Sequence, residues 1–222
     1  MHPPLAESLK SLYDEVLIGR AHLTIAQGLA KCHNEDPPIT NVAPAFFGLS
    51  ITAHLEAAQL YAAKLFEKNS KESLSLVSML EHIENTPSIL TGVSEERALE
   101  IVQSCRALIS GVVDRLTPLR VRRDKILAHL DRETVTDPAK ITVRAELYFK
   151  DLERFFQVAA VGVSRISGRQ LFDDEQVRLM NESDYEQAIR RIGEAKHAEA
   201  AKYEHEFGVP CDWPLPKAGR TS

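Results

Sequence analysis

Apolar residues recur at helical spacing along most of the chain, and no stretch alternates in the manner of a strand. Leu5, Leu9, Leu12, Val16, Leu23 and Leu29 share one face and predict a helix over 5–33. The segment NEDPPITN at 34–41 predicts a loop. Asn41 can then cap a second helix to about Phe66, with Pro44 in its first turn. Ser70 or a neighbour starts a shorter helix over 71–84, which Thr86-Pro87 ends. Ser94, followed by Glu95 and Glu96, starts a helix over 95–116. Thr117-Pro118 either kinks that helix or opens a new one reaching Leu130. Leu147, Phe149, Leu152, Phe155 and Phe156 give bulk to a helix over 140–167, and 184–207 reads as a last, very polar helix.

These elements predict an all-α fold, an up-and-down bundle of four to five long helices with an additional polar C-terminal helix and an irregular tail. Length sets the division. The chain has 222 residues, enough for one domain and an appendage. Residues 1–170 read as the bundle, 171–207 as a helical appendage and 208–222 as a proline-rich tail.

Composition narrows the function. The formal net charge is −5, so any nucleic-acid role has to rest on a local basic patch. Cys32, Cys105 and Cys211 are far apart and odd in number, which argues against a disulfide framework and a paired-cysteine metal site. Neither a metal nor a cofactor is implied. No apolar run has the length of a membrane span, and the opening MHPPLAESLK lacks a signal-peptide core, so a cytoplasmic location is expected.

The segment Leu119–Asp131, LRVRRDKILAHLD, carries the strongest chemical signal. On a wheel of about 100° per residue, Leu116, Leu119, Ile126, Leu127 and Leu130 form one stripe, with Arg123 in its middle. Arg122 and His129, seven apart, share a flank. An arginine inside an apolar stripe keeps its charge and needs an answering group. Glu56 has the same oddity on the second helix, on a stripe of Leu49, Ala53 and Leu60. A Glu56–Arg123 pair inside the bundle is therefore expected, either fixing helix register or orienting a catalytic arginine.

RDKILAH, Arg123 to His129 with five residues between, resembles the Arg–His signature of the HEPN superfamily. The longer string RRDKILAHLD is similar to the abortive-infection U-type branch. The bare spacing recurs at Arg191 and His197, in a polar helix. What distinguishes the first match is Asp124 after the arginine, the apolar helix and its place in the order of helices.

The resemblance implies metal-independent endoribonuclease activity in phage defence or toxin-like growth control. In that chemistry a 2′-hydroxyl attacks the adjacent phosphate. His129 would move protons, Arg123 would hold the developing charge with its fork of donors, and Asp124 would position one of them. Arg120, Arg122, Lys125 and Arg132 would attract RNA phosphates. The resemblance also implies a homodimer that joins two motifs across a two-fold axis, and an antitoxin or other protein partner. The alternative is a non-catalytic helical module that binds nucleotide, nucleic acid or protein. In that case His129 caps helix carbonyls and the basic cluster is a solvated face.

Other candidates carry less. His54 and Glu56 diverge on a helix and make a poor metal pair. His197 and His205, with glutamates near them, read as a solvated charged face before a weak cation site. Cys32 and His33 have no third group to orient a base, and Asp212-Trp213-Pro214 in the tail reads either as a docking peptide or as a Trp folding back on the bundle.

Overall fold

Helix caps and proline positions set the boundaries observed in a computed structural model, which describes residues 4–35, 37–67, 74–127, 146–168 and 182–208. The helices are α1 (Leu5–Glu35), α2 (Pro37–Thr40), α3 (Pro44–Leu65), α4 (Leu76–Asn85), α5 (Glu95–Ser110), α6 (Val113–Val121), α7 (Phe149–Ser167) and α8 (Glu182–Phe207). Arg122–Leu127 continues α6 as a π-helical turn. Among the described residues there is no strand, and the fold is all-α. No helix among them is long and apolar enough to cross a membrane.

Several boundaries differ from the sequence reading. The 34–41 stretch is not wholly a loop, because Pro37–Thr40 forms a helical turn. Proline at the first helical position is pre-set for it. Thr40, fully buried, donates to the Pro37 carbonyl at 3.1 Å and pairs with His33 Nδ1 at 2.9 Å. Ser75 caps α4, and Ser70 lies outside the described residues. Ser75 Oγ accepts from the Ser78 N–H, and Ser78 Oγ accepts from the Ser75 N–H, each at 3.0 Å. Ser94 caps α5 as the sequence indicates, accepting from the Arg97 N–H at 3.2 Å. That helix ends at Gly111 and does not reach residue 116. A new helix begins at Val113, so Pro118 falls inside it and removes one backbone donor. The start of α7 is fixed by Asp151, whose carboxylate accepts from the Tyr148 N–H at 2.9 Å.

The chain divides into two compact units, Met1–Leu23 with Leu55–Arg178 and Thr24–His54 with Leu179–Ser222. The first holds the main core. On α7, Leu152, Phe155, Phe156, Ala159, Val163 and Ile166 recur at three- and four-residue steps and are buried. They meet Leu12 and Val16 of α1, Ala58 and Ala62 of α3, Leu76, Leu80 and Ile83 of α4, and Ala98 and Val102 of α5. The Phe66 and Phe155 rings lie 5.8 Å apart. Gly19 lets α1 approach so closely that a Cβ there would overlap the Phe156 ring and press on Tyr61. In the second unit, the polar helix α8 lies on the end of α1 and on α2. Tyr185 fills the space over Gly28, and Ile39 lies against Gly193.

Two glycine substitutions test this packing. Gly48 sits in α3 with open space where a side chain would go. Gly48→Ala is expected to gain about 1 kcal/mol of helix propensity and to raise the Tm by roughly 2–4 °C. Gly19→Ala gains the same propensity but forces overpacking of about 3 kcal/mol, so thermal melting should move down by several degrees. Equal upward shifts in both variants would show that α1 is not seated as described.

Candidate functional site

The site is built where the π-helical turn after α6 lies against the end of α3. Three arginines within four residues point their donors at three different kinds of acceptor. Arg120 Nη2 donates to the Phe66 carbonyl at 3.4 Å. Arg122 Nε donates to Gln59 Oε1 at 2.5 Å, and Gln59 is only 2% exposed. Arg123 Nη1 donates to Glu67 Oε1 at 3.0 Å and its Nε to Asp124 Oδ1 at 2.6 Å. Side-chain exposures are 27% for Arg123, 30% for Glu67 and 52% for Asp124. The Asp124 hydrogen bond is the main cause that holds the Arg123 pKa above its usual value. Partial burial opposes it, and the charges of Asp124 and Glu67 reinforce it.

This geometry corrects two expectations. The Glu56–Arg123 pair does not form: Glu56 is half-buried on α3, and the carboxylates that meet Arg123 are Glu67 and Asp124. Glu56 lies roughly 14 Å along the helix axis from Leu65, the last residue of α3, at a rise of 1.5 Å per residue. Nor is Arg123 buried with Leu116 and Leu119, the members of the expected stripe whose side chains are described. Leu116 and Leu119 are buried, while Arg123 is over a quarter exposed. A regular wheel fails from Arg122 onward, because a π turn closes i→i+5 bonds and shifts each later side chain. Such turns occur often at functional sites.

Of the residues expected to act together, the structure joins Arg123 and Asp124 directly and places Arg120 and Arg122 next to them in sequence, each donating to a group in or just after α3. His129, Arg132 and the Lys125 side chain lie outside the described residues, as do Ile126, Leu127 and Leu130 as members of the stripe. Two contributors were missed. Gln59 was detectable as a lone polar residue in the alanine-rich run AAQLYAA on the inner face of α3. Glu67 was not, because it lies past the end of α3, where a helical wheel assigns no face. Among the described residues, no group of three or more His, Cys, Asp or Glu could hold a metal ion.

A second polar cluster ties α6 to the start of α7. Arg115 Nη2 donates to Asp151 Oδ2 at 2.7 Å and to the Glu146 carbonyl at 2.9 Å. The Tyr148 hydroxyl bonds Glu146, and the guanidinium of Arg115 lies 5.8 Å from the Tyr148 ring centre.

The described residues are all helical, and they carry an Arg123–Asp124 pair on a π turn against the end of α3. The family model HEPN AbiU2 matches residues 40–170, which takes in α3 to α7 and the whole motif segment. The chain belongs to the AbiU2 family of HEPN proteins. The match begins at Thr40 and leaves α1 outside it. Comparison with curated proteins and with solved structures gives no match.

The α6–α7 cluster predicts a pH effect. Burial would push the Asp151 carboxyl up, but the Arg115 hydrogen bond, the Tyr148 N–H and the Arg115 charge outweigh it and hold the pKa below its ordinary value. A depressed carboxyl stabilises the fold above the unfolded-state pKa of about 3.9, and that contribution is lost as pH falls through the folded value. Asp151→Asn is therefore expected to cost about 1–2 kcal/mol at pH 7. The two proteins should converge in denaturant unfolding as pH drops below about 4. A constant gap down to pH 2 would contradict the ion pair.

Proposed function

We propose that this HEPN protein is a metal-independent endoribonuclease acting in phage defence or toxin-like growth control, with Arg123 and His129 as its catalytic pair. A substrate 2′-hydroxyl attacks the adjacent phosphorus, the P–O5′ bond breaks, and the products are a 2′,3′-cyclic phosphate and a 5′-hydroxyl. His129 transfers protons, taking one from the 2′-hydroxyl or giving one to the leaving oxygen. Arg123 stabilises the extra negative charge on the phosphoryl oxygens. The observation that carries this reading is the state of Arg123: charged, a quarter exposed and aimed by carboxylates within the span that matches the family. Each protomer has one His129, and a two-fold dimer supplies a second for a composite site.

One observation favours a second reading, a non-catalytic module that binds nucleic acid, nucleotide or a protein partner such as an antitoxin. Arg120, Arg122 and Arg123 each donate to an acceptor within the protein itself, so all three also serve the fold.

The readings separate on total RNA in excess EDTA. Wild type is expected to cleave, and His129→Ala to lose activity about 10²–10⁴-fold, the range for removing a general acid or base. Cleavage by neither protein would favour the binding reading, and equal cleavage by both would point to a contaminant. Light scattering after size exclusion is expected to give a dimer, and a monomer at micromolar concentration would overturn the composite site.

A further inference from the structure

Arg123 meets two carboxylates, and they are not equivalent. Asp124 is the next residue, so it moves with Arg123 and cannot fix it relative to the bundle. Glu67 comes from a different part of the chain, just beyond α3. Its backbone is held from two sides. The Glu67 N–H donates to the Lys64 carbonyl at 3.3 Å, and the Glu67 carbonyl accepts from Ser75 Oγ at 2.7 Å. Ser75 is fully buried and is itself the cap of α4. The Glu67 carboxylate therefore projects from a backbone pinned between α3 and α4.

With Nε on Asp124 and Nη1 on Glu67, Nη2 of Arg123 meets no acceptor among the described residues. We infer that Glu67 is a positioning residue, which fixes the orientation in which Arg123 offers Nη2 to an anionic oxygen of the RNA backbone. A free arginine side chain spreads over many rotamers, and ordering it costs conformational entropy. Clamping it in advance removes that cost from the moment of reaction. Such a group acts on kcat more than on binding, because misplacing a catalytic contact by about 1 Å costs up to about 10²-fold in rate.

The catalytic readout rests on the ribonuclease reading, so the experiment has one arm that does not. Glu67→Ala and Glu67→Gln are made in the full chain, with thermal melting to check the fold. The first arm follows the guanidinium NH signals of Arg123 by NMR, assigned by their loss in Arg123→Lys. Wild type is expected to give separate Nη signals from restricted rotation. Glu67→Ala should average them, and Glu67→Gln, which keeps an acceptor oxygen, should retain them. The second arm measures RNA cleavage in EDTA. Glu67→Ala is expected to lower kcat about tenfold or more with KM within about twofold, and Glu67→Gln to recover most of the loss.

Unchanged Arg123 signals in Glu67→Ala would overturn the inference. So would a gain in kcat or tighter RNA binding, which would make Glu67 an anion that blocks the site. If wild type cleaves no RNA, the ribonuclease reading fails alone and the NMR arm still decides the role of Glu67. If the alanine chain does not fold, Glu67→Gln carries the NMR arm: the Nη signals are expected to stay separate but to move in chemical shift as the carboxylate charge is lost, and unmoved signals would overturn the inference.

Discussion

A guanidinium cannot shed its proton under any burial a protein imposes, so each arginine near a core has to be met by an acceptor. Three of them crowd into Arg120–Arg123, opposite the end of α3. The solutions are a backbone carbonyl at Phe66, a buried amide at Gln59 and a carboxylate at Glu67. Only the last opposes charge with charge. Hydrogen bonds from a charged donor are worth about 1.5–3 kcal/mol each, so together these contacts hold Arg120–Arg123 against the end of α3. Their seat depends in turn on the placement of α3, which Gly19 sets through the close approach of α1, and on Ser75, which anchors Glu67 to α4.

The helices were legible because their signals are local. Ser94 with two following glutamates marks a helix start wherever it occurs, and the spacing of Leu152, Phe155, Phe156 and Ala159 admits one face only. The end of α5 was misjudged because Gly111 stops a helix more weakly than proline does, and Pro118 drew the boundary towards itself. The motif was legible as an order of residues, Arg-Asp-Lys before Ala-His-Leu-Asp. Its geometry was not. A wheel presumes one twist throughout, and the π turn begins at Arg122, one residue before the arginine that mattered. Glu56 satisfied the wheel and was wrong. Glu67 lies where no wheel applies.

The charge pattern also takes on a different meaning. A basic cluster in a chain of net charge −5 reads first as a patch for polyanions. In the fold, the clustered arginines are partly committed inward. On the proposed ribonuclease reading, a substrate phosphate would meet the N–H groups that have no acceptor among the described residues, such as Nη2 of Arg123, and not the formal charge of the segment. Specific orientation therefore counts for more here than long-range attraction, which salt screens within about 8–10 Å.

The π turn bears on insertions and deletions. Closing i→i+5 bonds takes one more residue per turn than the i→i+4 ladder of α6. Arg122–Leu127 thus holds one residue in surplus over an α-helical path of the same rise. Deleting a residue within it would restore an unbroken α-helix without shortening the element by a full turn. The local backbone would become more regular, yet the arginines would rotate away from Gln59 and Glu67. Here irregularity in the ladder is the condition for registry with the neighbouring helix, and a more ideal helix would be the poorer fit.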